Sequence, residues 1–357
     1  MTNLIPVIST SRNVAITDKK TSSLIGRGLS AILNKETGFT LFEQDARYRQ
    51  ARDIYNRITD YGMEDRFNAD LLPKQSKPND WFEADPLLPF FALLRQLTDA
   101  FTVFQQLADQ DYGKAYLPLA QMYLGGQGIS QNKDKAKYYF RLAFNWCFTN
   151  QILNDSEIWT DLGWLYEYPR GVEQYDEQAA YWYSKAAKQG NPNAQNLLGL
   201  MWKNGNCKEG ENFDEAYFWY RKAAEQGHAE AQTNLGLMWE YGDGVEQDND
   251  EAVYWYGKAA GQGYAIAQYH LGRMYESGEC LSILQDNEEA VLLYREAAKQ
   301  GYTRAQFELG CMCEYGILTG IGPDYKQAIF WYRKAAEQGL TDAKEYLTNL
   351  GINWKNK

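Results

Sequence analysis

The sequence predicts an all-α protein, folded as a right-handed superhelical α-solenoid of two-helix repeats. Three observations lead to this prediction. A ten-residue phrase recurs so that its closing glycines lie 36 to 38 residues apart, a second phrase recurs half a period away, and both phrases place apolar residues at helical spacing. Since one pair of short helices cannot bury its own apolar face, successive pairs must stack on one another.

The first phrase supplies the second helix of each period. It runs from Tyr181 to Gly190, with Trp182 and the pair Ala186-Ala187 between them. The later copies close at Gly227, Gly263, Gly301 and Gly339. A glycine directly after a helix suits the left-handed backbone position that ends it, so these glycines mark the helix ends.

The other phrase supplies the first helix of each period. Its pattern is Ala-Gln followed by Leu-Gly, as in Ala194-Gln195 and Leu198-Gly199. The glycines at this position are Gly199, Gly236, Gly272 and Gly310. Glycine inside a helix costs about 1 kcal/mol relative to alanine. Four copies at one position therefore predict that a neighbouring helix passes too closely for a side chain.

These phrases resemble the Sel-one-like repeat family, a relative of the tetratricopeptide repeat. The resemblance covers roughly residues 99–340, with four strong copies and two or three degenerate ones. It implies an adaptor or scaffold with a concave binding surface. Members of this family serve as assembly platforms, signalling adaptors and, in bacteria, neutralisers of toxins.

The regions outside the repeats divide the rest of the chain. We expect a mobile segment at 1–40 and a helical region at 41–98 with a linker near 72–80, where Pro73 and Pro78 bracket polar residues. The repeat solenoid should occupy 99–340. Residues 341–357 begin a first helix without supplying its partner, so they are predicted to cap the solenoid.

Charge separates the possible classes of partner. The formal net charge is -11, and residues 81–357 alone carry 24 basic and 37 acidic residues, a balance of -13. An acidic surface repels phosphate backbones and anionic lipids, so nucleic acid and membrane are excluded as expected partners. A basic partner protein would be attracted.

Targeting signals and cysteines point to the cytoplasm. The first 31 residues lack an uninterrupted apolar core, because Pro6, Arg12 and Asp18 break it, and no stretch reaches the length of a membrane span. Five irregularly spaced cysteines do not suit a disulfide framework. We therefore expect a cytoplasmic protein.

Residues that could carry catalysis are few. The two histidines, His228 and His270, have no recognisable motif around them; His228 is expected in a surface turn, and His270 on the surface or in a partner contact. Acidic pairs such as Asp250-Glu251 recur before each second helix, where carboxylates cap helices. Cys311 and Cys313 point about 200° apart on a helix, unlike a chelating pair. No enzymatic activity, metal, cofactor or small-molecule substrate is expected.

The candidate binding surface consists of first-helix positions whose residue type changes between repeats. A repeated residue is taken to hold the fold, and a changing one to be free for recognition. The candidate partner-binding residues are Trp164, Glu167, Tyr168, Lys203, Leu237, Glu240, Tyr241, Tyr269, His270, Arg273, Glu276, Phe307, Glu308, Glu314 and Tyr315. Aromatic and carboxylate side chains dominate this set, which suits a basic protein or an extended basic peptide. An ordinary solvated helix face is the alternative.

Three functions follow from these features. The first is a non-enzymatic adaptor or scaffold of bacterial type that holds a basic partner protein on its concave face. The alternative is a cytoplasmic immunity protein that neutralises a toxin or effector by occluding its active site. The third, an enzyme with an appended solenoid, has little to support it, since residues 1–98 contain neither histidine nor cysteine.

Overall fold

The computed structural model describes residues 41–59, 88–168, 175–207, 210–278, 280, 282, 284–317 and 323–353. The chain divides into two units, Met1–Arg47 and Tyr48–Lys357. In the first unit, the described residues 41–47 are helical. The expected mobile segment at 1–40 and the linker near 72–80 lie outside the described residues. All features below belong to the second unit unless stated otherwise.

The described residues form fifteen α-helices and no β-strand. Two helices precede the repeats, α1 (Leu41–Thr59, shared with the first unit) and α2 (Leu88–Ala108). Six helical pairs follow: α3 and α4 (Tyr116–Gly125, Lys133–Asn150), α5 and α6 (Ser156–Glu167, Asp176–Lys188), α7 and α8 (Pro192–Lys203, Phe213–Glu225), α9 and α10 (Ala229–Tyr241, Asn249–Gly261), α11 and α12 (Ala265–Ser277, Asn287–Lys299), α13 and α14 (Thr303–Glu314, Tyr325–Glu337). A lone helix, α15 (Thr341–Asn349), ends the series. We refer to these as pairs one to six.

Each helix of the pairs packs mainly against the helices before and after it in the sequence. This nearest-neighbour packing confirms the predicted all-α solenoid. The glycine after each second helix from pair two onward has positive φ, for example 90° at Gly227 and 86° at Gly263, as the sequence predicts. None of the helices among the described residues combines the length and apolar character needed to cross a bilayer.

The start of each second helix differs in one detail from the expectation. In pairs three to five the cap lies two residues before the acidic pair: the side chains of Asn212, Asp248 and Asp286 accept hydrogen bonds from backbone N–H groups of the first turn. The acidic pairs themselves occupy that first turn, where their charge favours the positive end of the helix dipole. In pair six Asp324 caps its helix as expected.

The glycines inside the first helices each contact one tyrosine of the following second helix. A Cβ atom added to Gly236 would lie 2.6 Å from the ring of Tyr256, and one added to Gly272 would lie 2.8 Å from that of Tyr294. The other contacts of this kind are Gly163 with Tyr183, Gly199 with Tyr220 and Gly310 with Tyr332. All five tyrosine rings are fully buried. The predicted close approach is therefore confirmed, and the tyrosine identifies its cause.

A buried glutamine in the first helix links consecutive pairs. In pair four the Gln232 amide donates to the carbonyl of Ala224, at the end of the preceding second helix, at 3.0 Å. Its oxygen accepts from the Gln262 amide, after its own second helix, at 2.7 Å. Gln195 and Gln306 make the same two bonds in pairs three and six. The glutamine of the Ala-Gln phrase thus satisfies carbonyls and amides that burial would otherwise leave unpaired.

Candidate functional site

The predicted partner-binding residues lie on one face of successive first helices, which we call the first-helix surface. It comprises the fifteen side chains named as candidates above. Thirteen of them are half-buried or exposed, so most of the set is accessible. Two are buried: Glu240 is 7% exposed and Tyr269 is 5% exposed.

Four glutamates of this surface share one structural task. Glu167, Glu240, Glu276 and Glu314 each lie four residues after the helix-interior glycine and accept a hydrogen bond from the buried tyrosine that crosses it. The oxygen–oxygen distances are 2.8, 2.7, 2.7 and 2.9 Å in that order. The assumption that these positions are free for recognition is therefore corrected, because each carboxylate satisfies a buried hydroxyl.

Glu240 is the most heavily engaged of the four. Besides Tyr256, it faces the Arg273 guanidinium at 3.4 Å and the His270 ring nitrogen Nδ1 at 3.7 Å, both from the next first helix. The His270 ring stacks on Tyr256, with centroids 5.1 Å apart. Burial, helped by the charge of Arg273, lowers the pKa of His270 to about 4, so the imidazole is neutral at pH 7. His270 thus lies in this packed cluster, with a side chain that is 13% exposed.

Three tyrosines are the prominent exposed rings. Tyr168, Tyr241 and Tyr315 occupy the same position in pairs two, four and six, and they are 37%, 59% and 74% exposed. Tyr168 stacks on Trp164, with ring centroids 4.9 Å apart. Since an exposed, partly stacked aromatic ring loses little conformational entropy on binding, these tyrosines are suited to anchor a partner.

The last two pairs contribute a group of carboxylates. Glu308 is half-buried and makes no ion pair within 4 Å among the described side chains. Burial, followed by the charge of Glu276, raises the pKa of Glu308. The charges of Arg273 and Arg304 oppose this rise. Half-buried Phe307 and Leu237 supply apolar area on the same surface.

Pair three differs from its neighbours. Lys203 occupies the position that holds glutamate in pairs two, four, five and six. Its ammonium group lies 3.9 Å from a carboxylate oxygen of Asp243. The hydroxyl of Tyr220, the buried tyrosine of this pair, has no hydrogen-bond partner within the described part of the chain.

His228 is not the surface turn residue that was expected. It is the N-cap of α9: its Nδ1 accepts from the backbone N–H of Ala231 at 3.2 Å, and its Nε2 lies 2.9 Å from the Asn193 side-chain oxygen. Burial lowers the pKa of His228 to about 4. Asn191 fills the same capping role in pair three. The prediction was wrong because the His228 imidazole caps the start of α9, as an asparagine would, and packs between neighbouring pairs.

Candidate metal ligands lie apart from one another in the described part of the chain. Nowhere in the described ranges do three or more His, Cys, Asp or Glu side chains form a group that could hold a metal ion. The five cysteines, all of them among the described residues, are not joined by disulfide bonds, and Cys311 accepts a hydrogen bond from the Tyr332 hydroxyl at 3.4 Å. The accessible chemistry is therefore that of aromatic, carboxylate and a few basic side chains.

Comparison with known proteins identifies the repeat. The family model described as the Sel1 repeat matches residues 108–145, 160–191, 192–228, 229–264, 265–302 and 303–340, which together exceed half of the chain. The chain belongs to the Sel1 repeat family. Sel1 repeats, the Sel-one-like repeats that the sequence resembles, form protein–protein interaction scaffolds.

Solved structures resemble parts of this chain. A Sel1 repeat protein from Oxalobacter formigenes is 31% identical, with a TM-score of 0.55 over 61% of this chain and 89% of that one. A protective antigen of uropathogenic Escherichia coli with the same fold is 27% identical, with a TM-score of 0.50 over 87% of this chain and 61% of that one. An immunity protein from Pseudomonas aeruginosa is 22% identical, with a TM-score of 0.43 over 63% of this chain and 81% of that one.

Two hydrogen-bond networks of this Sel1 repeat protein were not predicted from the sequence. The tyrosine–glutamate bonds could have been found, because glutamate recurs four residues after the helix glycine in four pairs. The glutamine links could have been found from the repetition of Gln232 and Gln262 at matching positions. Both signals were present as repetition, but neither residue type is one that usually fills a core.

Proposed function

We propose that this protein is a non-enzymatic scaffold that holds a basic segment of a partner protein along the first-helix surface. The observation that carries the proposal is the combination of exposed tyrosines in alternate pairs with the half-buried carboxylate of Glu308, which forms no ion pair within 4 Å among the described side chains. Aromatic anchors surrounded by charge of one sign are typical of surfaces that bind a protein of opposite charge. The net charge of -13 over residues 81–357 would attract such a segment over distances near the Debye length of about 10 Å at 0.1 M salt.

The residues expected to act differ in part from those predicted. Tyr241 and Tyr315 are accessible anchors, and Glu308 is an accessible charge. Replacing Glu240 or Tyr269 would instead disturb packing, because both are buried. These two residues are therefore poor probes of binding.

The experiment selects ligands from a random peptide library displayed on phage, using the purified full chain as bait. We expect enrichment of peptides that combine Lys or Arg with apolar residues. Soluble copies of these peptides should dissociate faster from Tyr241→Ala and Tyr315→Ala than from the parent. Each substitution should weaken the binding free energy by about 1–3 kcal/mol. Glu308→Gln should slow association, and more so at low salt.

The matched control is Tyr254→Ala, which removes a tyrosine of similar exposure (52%) from a second helix. It should bind the selected peptides like the parent. Enrichment of acidic peptides, or equal effects of Tyr241→Ala and Tyr254→Ala, would contradict the proposal. Neutralisation of a toxin is the narrower form of the same proposal, and it requires in addition that a captured basic enzyme lose activity when bound.

A further inference from the structure

Pair three lacks the acceptor that its neighbours provide. In pairs two, four, five and six a glutamate accepts the hydroxyl of the buried tyrosine, whereas Lys203 offers only donors at this position. Tyr220 is 0% exposed, and its hydroxyl has no partner among the described residues. A buried hydroxyl without a hydrogen-bond partner costs stability, and the Tyr220 hydroxyl is a donor that lacks an acceptor among the described residues.

A second unpaired donor lies on the same helix face. The side-chain nitrogen Nδ2 of Asn196, which is 1% exposed, has no hydrogen-bond partner in the described part of the chain. Its oxygen accepts from the Asn234 amide at 3.1 Å. Asn196 precedes Lys203 by seven residues, about 10 Å along the helix, and the Tyr220 ring crosses between them at Gly199. Three donors thus line one face of α7.

The lysine itself is available for a new partner. Its side chain is 28% exposed, and its only ion pair among the described residues is the 3.9 Å contact with Asp243, whose side chain is 31% exposed. A long ion pair between two partly exposed groups contributes little. A carboxylate that approached the ammonium group could displace Asp243 at small cost.

We propose that Lys203 binds a side-chain carboxylate of the partner, at the point where the bound segment passes pair three. The proposal rests on the proposed function, since it assigns one contact of that same surface. Pairs on both sides of Lys203 carry the exposed tyrosines Tyr168 and Tyr241, which the proposed function assigns to the bound segment. The segment therefore continues in both directions, and the carboxylate belongs to an internal Asp or Glu rather than to a chain terminus. Lys203 would fix the register of a basic segment by requiring one acidic residue within it.

The test uses the phage-selected peptides on the parent chain and on two variants, Lys203→Met and Lys203→Gln. We expect the parent to select peptides in which one acidic residue recurs among basic ones. For a soluble peptide of this kind, both variants should weaken binding about tenfold. Changing the peptide's acidic residue to its amide should weaken binding to the parent equally, and should not weaken binding to Lys203→Met further.

A control and a second measurement separate the possible failures. Lys188→Met removes an exposed lysine from a second helix and should leave the peptide affinity unchanged. Lys203→Gln should have a higher urea midpoint than Lys203→Met, because the amide oxygen gives Tyr220 an acceptor. Recovery of basic peptides without a recurring acidic residue, or equal effects of peptide neutralisation on parent and Lys203→Met, would overturn the role of Lys203 alone. Failure to enrich any basic peptide would overturn the proposed function itself.

Discussion

Replacing Gly236 with alanine tests the packing that sets the spacing of the two helices in pair four. The added Cβ would lie 2.6 Å from the Tyr256 ring, whereas non-bonded carbon atoms normally lie about 3.5–4.0 Å apart. The ring is fully buried, and its hydroxyl is held by Glu240, so it cannot move aside freely. Overpacking of this kind costs about 1–3 kcal/mol, against a gain of about 1 kcal/mol in helix propensity. We expect a net destabilisation of up to about 2 kcal/mol relative to the parent, and about 3 kcal/mol or more for Gly236→Leu.

The matched control is Gly257→Ala in the second helix of the same pair. Nothing lies within 4 Å of a Cβ added there, so only the helix propensity changes and the variant should gain up to about 1 kcal/mol. The assay is urea unfolding followed by circular dichroism, comparing midpoints because a repeat array need not unfold in one step. If Gly236→Ala is as stable as Gly257→Ala, the tyrosine does not require glycine opposite it, and the steric explanation is wrong.

Three further outcomes test the hydrogen bonds and the titrating groups. Tyr256→Phe should lower the free energy of unfolding by about 1–3 kcal/mol, because Glu240 loses a buried donor, whereas Tyr220→Phe should be neutral or stabilising; urea unfolding compares them. The folded pKa of His228, about 4, lies below its unfolded value, so the free energy of unfolding should fall as pH drops from 6.5 to 4. In His228→Asn this fall should be smaller by up to about 3 kcal/mol. The raised pKa of Glu308 means that affinity for a basic peptide should increase as pH rises through it, and Glu308→Gln should flatten that titration curve.

The fold was predictable because repetition reports packing directly. Glycine recurs at the position of Gly236, where a tyrosine of the next helix approaches closely, and at the position of Gly227, where the backbone is left-handed. These two positions alone indicated two helices per period. The binding surface was only partly predictable. Tyr241 and Tyr315 were correctly placed on an accessible face, but their role in binding stays a prediction.

Glu240 and Tyr269 were misassigned because their packing partners lie in other parts of the sequence. Glu240 was taken as a recognition residue because its position was considered to vary between repeats. Glutamate in fact recurs at this position in four pairs, and the buried tyrosine partner of Glu240 lies sixteen residues away in the following helix. Tyr269 varies between repeats but fills a pocket against Tyr294 and Tyr302. The hydroxyl of Tyr220 has no partner among the described residues, and this could be predicted only once the tyrosine–glutamate bond was known, because Lys203 replaces the glutamate in pair three.

The glutamine link gives the array a property of interchangeable modules. Gln232 hydrogen-bonds to the carbonyl of Ala224, at the end of the preceding second helix, and to Gln262, after its own second helix. Gln195 repeats that arrangement one period earlier. Excision of one whole period, residues 229–264, would therefore bring the next glutamine, Gln268, opposite Ala224 with no amide stranded at the new junction. The glutamine link therefore tolerates a change of length by whole units, whereas the contacts of His270 and Arg273 with Glu240 would be lost at that junction. Each such excision would bring Tyr315 one repeat nearer to Tyr168, so the proposed surface would match a shorter partner segment.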